Sequence, residues 1–299
     1  MAYAAQFAAV LVACCLAAVV LGRARWPSRS PRAAIVCWQA VGLAFGLSAI
    51  GLPLAAGLAA YHRPTALALL ALAGDIARGQ SPPLDASRLA AVGAGLGIAG
   101  SLLGTTVSSI VRTTRTRRRH RHVLDLVGRA DPAVPGALVL DHPRAAAYCL
   151  PGLRPRVVVS AGVLSLLDRA ELAAVLSHEQ AHAVERHDLV LLPFAAVCRA
   201  LPGVRWVRAA HDAVGLLIEM RADDRARRQH TDAGLAAALR RFAGAPAVTP
   251  PGALGATDHL SARVGRLQAT HHRPPRIRAT LAVAAAAMLV ALPPLLYLS

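Results

Sequence analysis

The chain contains no lysine and no asparagine, so all 33 of its basic residues are arginine. That pair of absences, beside abundant Ala, Gly, Arg and Pro, is the mark of a GC-rich genome. The formal charge of +17 is therefore not by itself an argument for nucleic-acid binding. Charged residues make up only 16% and aromatics 4%, against 55% hydrophobic residues and a mean hydropathy of +0.46. This balance excludes an ordinary soluble enzyme and points to several membrane spans with a modest soluble part. The five cysteines (Cys14, Cys15, Cys37, Cys149, Cys198) form no CxxC pair and no framework spacing, and three of them sit in apolar runs, where a small buried hydrophobe is the better reading. Glutamate is scarce: Glu171, Glu179, Glu185 and Glu219 are the only four, all in one stretch of the chain.

Long uncharged runs are what the sequence has instead. Crossing a bilayer takes about 20 apolar residues, and residues 1–22, 33–61, 89–111 and 279–299 each carry no charge over such a length. No positive charge precedes the apolar core of the first run, so it reads as a retained span rather than a cleaved signal peptide. Between the second and third runs, residues 62–88 read as an extramembrane loop with an interfacial helix near Thr65–Gly74. Arg23, Arg25, Arg29 and Arg32 follow the first span. Six further Arg crowd into residues 112–122, directly after the third. By the positive-inside rule both clusters are cytoplasmic, which puts the N- and C-termini outside and residues 112–278 inside. The second cluster reads as a stop-transfer signal at the lipid surface, and no direct nucleic-acid binding is expected of it. Gly100-x-x-x-Gly104 suits close helix packing within the chain, with a homodimer as the alternative. The division that results is a membrane region at 1–111, a cytoplasmic domain at 112–278 and a last transmembrane helix at 279–299. The fold class is a mainly α integral membrane protein of about four transmembrane helices with a cytoplasmic α+β domain.

That domain opens with strand-like pieces at 137–140, 146–150 and 156–160, separated by Pro and Gly. Asp168 and Glu171 then form a capping signal ahead of Leu172, Val175 and Leu176 at helical spacing. The helix so started carries His178-Glu179-Gln180-Ala181-His182. Residues four apart share a helix face, so both imidazoles can meet one zinc ion, with Glu179 placed as general base toward water. With twelve His and four Glu in the chain, chance alone gives about 0.006 occurrences of this pattern. Catalytic zinc takes three protein ligands, and Glu219 is the candidate third. It interrupts the apolar run Val214–Met220, where an unpaired buried carboxylate would be costly. Asp223, one turn on, is placed to fix the tautomer of a metal-bound His; Asp212, two turns before, is a weaker candidate. His187 is a candidate substrate or oxyanion contact, or a support for the ligands. Glu185 has no role in this reading. Leu189–Cys198 is too short to span, 204–229 reads as a long helix, 243–257 as a loop (a lid or a self-cleavage site), and 258–269 as an amphipathic helix. Arg156–Ser160 is read as a sheet edge to which a substrate strand can add.

Val175-Leu-Ser-His-Glu-Gln-Ala-His182 followed by Glu219-x-x-Ala-Asp223 resembles the membrane-embedded gluzincin peptidases. The lead-in Ala146–Gly152 and Val157–Val163 resembles theirs too. Two branches are similar: antibiotic-sensor peptidases of the BlaR/MecR type, and HtpX-type heat-shock and CAAX prenyl proteases. The gap of 36 residues between His182 and Glu219 and the spans bracketing the domain look more like the first, without its penicillin-binding sensor domain. The resemblance implies a zincin-like catalytic domain with one Zn2+ per chain, held by His178, His182 and Glu219. The activity it implies is a zinc metalloendopeptidase in regulatory proteolysis. Its substrate would be a cytoplasmic or membrane protein, with a penicillinase-repressor-type transcriptional regulator as the expected partner. The alternatives are an HtpX-like quality-control protease and a non-catalytic zinc-binding signal transducer.

Overall fold

A backbone in apolar surroundings must satisfy its own hydrogen bonds, and a helix does so within one segment. In the computed structural model, which describes residues 2–152, 155–244, 254–255, 259–269 and 276–298, the uncharged runs are helical. Helices α1 (Ala2–Arg23), α2 (Trp26–Arg29), α3 (Pro31–Gly57), α4 (Thr65–Ala77) and α5 (Ala86–Val127) come first. Strands β1 (Gly128–Ala130), β2 (Ala137–Leu140), β3 (Ala147–Leu150) and β4 (Arg156–Ser160) follow. Then come α6 (Ala161–Leu166), α7 (Arg169–Val184), α8 (His187–Ala200), α9 (Arg205–Ala226), α10 (Asp232–Gly244), β5 (Leu254–Gly255), α11 (Leu260–Gln268) and α12 (Arg276–Leu298). Four stretches are long and apolar enough to cross a membrane: Tyr3–Arg23, Pro31–Tyr61, Ala86–Val127 and Ile277–Leu298. The expected spans coincide with these, with one difference. At about 1.5 Å per residue, the 42 residues of α5 outrun a hydrocarbon core of about 30 Å. The Arg-rich segment 112–122 thus lies on the same unbroken helix.

Two compact units divide the chain. The first comprises Met1–Thr106, Ala196–Ala210 and Pro274–Ser299. Inside it α1 and α12 both pack on α3. The α1–α3 approach is close because Gly51 carries no side chain: a Cβ there would lie 2.5 Å from the ring of fully buried Phe7. Leu54, Leu58, Ala68, Leu72 and Val92 form a core joining α3, α4 and α5. The expectation for Gly100 and Gly104 is corrected here. Nothing lies within 4 Å of a Cβ at either, and the close approach within the chain is instead at Gly95, whose Cβ would meet Leu54 at 2.6 Å. Residues 196–210 also group with this unit; Trp206 packs edge-on to Phe45 at 5.4 Å.

The second unit comprises Val107–Ala195 and His211–Arg273. Its sheet has the order β1-β2-β4-β3-β5, antiparallel except where β2 and β4 run parallel. Alternation along the strands splits the apolar side chains between two faces. Val139, Ala147, Val157 and Val159 face Leu172 and Val175 of α7 and Phe242 of α10. Tyr148, Leu150 and Val158 face Leu124 of α5. Arg156–Ser160 is therefore not an edge: β2 and β3 occupy both of its sides. The 243–257 loop lies outside the described residues apart from Gly244 and the short β5. The helix that matters most, α7, starts on a complete capping box. The Glu171 backbone N–H donates to Asp168 Oδ1 at 2.8 Å, and the Asp168 N–H donates to Glu171 Oε2 at 3.1 Å.

Candidate metal centre

Helix α7 presents His178 and His182 one turn apart, and α9 presents Glu219 and Asp223 one turn apart. The two pairs meet. His178 Nε2 and His182 Nε2 lie 3.1 Å from each other, and Glu219 places Oε2 at 3.3 Å from the first and Oε1 at 3.4 Å from the second. Tetrahedral zinc with ligands at about 2.0–2.1 Å needs donor atoms about 3.3–3.4 Å apart, so the three separations fit that ion. All three residues are buried.

The charge count fits as well. Glu179, Glu219 and Asp223 are buried carboxylates, and Arg263 is the one fully buried guanidinium among them. Ionising all three acids would leave two negative charges over, so a dication beside them would favour the ionised form of Glu179. Burial pushes the Glu179 carboxyl up to about 8, with neighbouring Glu219 adding to the effect. Among the described residues neither Glu179 oxygen has a well-formed hydrogen bond, though the Cys149 backbone amide draws on the carboxylate. An orphaned, fully buried carboxylate one residue from a histidine ligand is costly as structure and useful as a base. For Glu219, burial works in the same upward direction, but His182, His178 and Arg263 outweigh it and hold the group well below the usual carboxylate range.

The flanks of the two imidazoles differ. His178 Nδ1 lies 2.9 Å from Asp223 Oδ1, the contact expected of a residue that fixes its tautomer. Arg263, from α11, grips the same carboxylate twice, donating from Nε to Oδ2 at 2.9 Å and from Nη2 to Oδ1 at 2.6 Å. Its Nη1 reaches Glu219 Oε2 at 2.9 Å. His182 has no carboxylate on its flank; its Nδ1 lies 2.9 Å from His187 Nδ1. His187 thus lies against the ring nitrogen of His182 that faces away from His178 and Glu219. Asp212 is not part of the cluster: it is exposed and pairs with His211. Arg263 escaped the sequence reading, for it is one of 33 Arg and its partners lie 40 or more residues away. Glu185, unassigned there, binds Arg221 and Arg225.

Residues 112–244 match the family model described as Peptidase family M48. That match implies a metallopeptidase. It spans β1 to α10, hence His178, Glu179, His182, Glu219 and Asp223, and stops short of Arg263. No solved structure matches the chain.

Proposed function

We propose that the protein is a membrane-bound zinc metalloendopeptidase that cuts a cytoplasmic or membrane protein in regulatory proteolysis. The observation that carries this reading is the convergence of two imidazole nitrogens and a carboxylate, at zinc-like separations, beside the unpaired carboxylate of Glu179. His178, His182 and Glu219 would hold the ion. Zinc at this place supplies Lewis acidity toward a peptide carbonyl and toward water. Glu179 takes a proton from the attacking water and delivers it to the leaving amine nitrogen as the C–N bond breaks. Asp223 accepts the Nδ1–H of His178 and so leaves its Nε2 lone pair free for the metal. Arg263 holds Asp223 in place and shares the negative charge of Glu219.

Four apolar helices support a multi-pass membrane location, and the Arg-rich flanks support a cytoplasmic catalytic domain with both termini outside. The proposed substrate is a regulator of the penicillinase-repressor type. Metal analysis and casein cleavage of the wild type beside Glu179→Gln test the core of the reading. Both proteins should carry one zinc per chain, and cleavage by the variant should fall by about 10²–10⁴-fold. A wild type without zinc would sink the proposal. The same variant used as a trap in cells separates the roles: a single repressor recovered supports regulation, and an assortment of misfolded membrane proteins supports quality control.

A further inference from the structure

The two candidate histidine ligands are held in unlike ways, and the difference assigns a role to residues outside the ligand set. His178 has Asp223 on its free nitrogen. His182 has another imidazole, and two ring nitrogens 2.9 Å apart can share only one proton, one side donating and the other accepting. The choice is dictated by the far side of His182. Its Nε2 points at His178 and Glu219 and must offer a lone pair to bind a metal, so its Nδ1 carries the proton. His187 Nδ1 is then the acceptor, which puts the proton of His187 on Nε2. That nitrogen faces Glu185 Oε2 at 3.5 Å, an ion-pair distance without a well-formed hydrogen bond. Glu185 is kept ionised by Arg221, whose Nε and Nη2 donate to its two oxygens at 2.8 and 2.9 Å, with Arg225 at 3.3 Å.

We infer that His187 is a positioning residue, the middle of a relay His182–His187–Glu185–Arg221 that fixes the metal-binding tautomer and ring orientation of His182. This rests on the zinc reading above. Two further features show that the fold invests in holding His187 there. Arg186, the residue before it, adopts the left-handed conformation (φ 50°), which is strained for a non-glycine residue. That turn swings the first residue of α8 back against α7. Asp188, the residue after it, is buried and paired with Arg117 Nη1 at 2.8 Å, which anchors the other side of the turn. His187 itself is only 2% exposed, so it touches His182 and Glu185 rather than solvent or substrate.

The test compares full-length wild type, His187→Leu, His187→Asn and Glu185→Gln in detergent. The readouts are zinc affinity by chelator competition and the visible spectrum of the cobalt-substituted protein. Loss of a residue that supports a metal ligand weakens metal binding by about 10- to 100-fold, and that is the effect expected of His187→Leu, with a shifted cobalt spectrum. The Asn amide oxygen sits close to the place of the His187 Nδ1 acceptor, so His187→Asn should recover most of the affinity and the wild-type spectrum. Glu185→Gln should show a smaller loss of the same sign. Equal zinc affinity in wild type and His187→Leu overturns the relay and leaves the metallopeptidase reading intact. Equal losses in the Leu and Asn variants overturn it too, since bulk and not the acceptor would then matter. A wild type that binds no zinc overturns both readings together.

Discussion

The two units of the molecule treat polar groups in opposite ways. In the unit built on α1, α3 and α12, the buried polar side chains among the described residues are the hydroxyls of Ser48 and Thr65, and no buried charge occurs. Every buried charged side chain described belongs to the other unit, and most of them converge on α7 and α9. Apolar helices have nothing with which to compensate a buried ion, so they hold together by shape, as where Phe7 fills the space above Gly51. The catalytic unit concentrates acids, imidazoles and one guanidinium so that each compensates another. Stability in the first unit should therefore be sensitive to volume, and in the second to charge.

Removing the Arg263 charge is the strongest way to break that contrast. Its guanidinium is fully buried and contacts both Asp223 and Glu219. Taking away one partner of a buried ionic cluster costs about 3–5 kcal/mol, because the remaining charges stay behind uncompensated. Arg263→Leu is expected to lower hydrogen-exchange protection of α7 and α9 by about that much, while α1 and α3 exchange as before. Saturating zinc should restore part of the loss by supplying positive charge next to Glu219. Unchanged protection in α9 would show that the cluster is not held by charge.

The volume argument makes the complementary claim. Gly51→Ala adds a Cβ 2.5 Å from a Phe7 ring atom, and Phe7 is itself fully buried with the tilted ring of Tyr297 at 5.1 Å. The ring cannot swing clear without disturbing α12. Overpacking of this kind costs about 1–3 kcal/mol, to be read as a lower SDS concentration at the unfolding midpoint in bicelles. Zinc content should be unaffected. The same change at Gly100, where nothing lies within 4 Å, is the control and should leave the midpoint where it was.

What could be read from the sequence was whatever is periodic or local. The spans are runs without charge, and they appear where they were read. The strands at 137–140 and 156–160 match to the residue. The start of α7 is written in Asp168 and Glu171, and both His residues follow from spacing along one helix. Glu219 was legible for a different reason, because a lone acid in an apolar run asks for a partner. The features that were missed depend on contacts distant in sequence. Strand β4 sits in the middle of the sheet because β3 turns back onto it while β2 pairs on its other side, and no local pattern encodes that order. Arg263 needs α11 brought against α9. Gly100 and Gly104 have the right spacing for close packing, but α3 crosses α5 nearer Gly95.

Helix starts offer the finest version of the comparison. In the apolar unit α3 begins after Ser30 and α4 after Pro64, neither with a side-chain cap. α3 is 27 residues long and apolar enough to cross a membrane, and α4 packs through Ala68 and Leu72 against Leu54 and Leu58, so neither depends on a capped first turn. α7 is 16 residues long, mostly buried, and must present His178 and His182 in one orientation. Its two reciprocal cap bonds fix where the first turn begins and hence the phase of every later residue. Asp168→Ala removes the acceptor for the Glu171 N–H, and loss of such a cap costs about 0.5–2 kcal/mol. Faster amide exchange confined to the first turn of α7, with zinc affinity intact because the ligands lie more than two turns away, is the expected result. Ser30→Ala should change nothing, since that side chain caps nothing. If both substitutions shifted exchange equally, helix starts in the two units would be held by the same forces, and the contrast between them would stop at their cores.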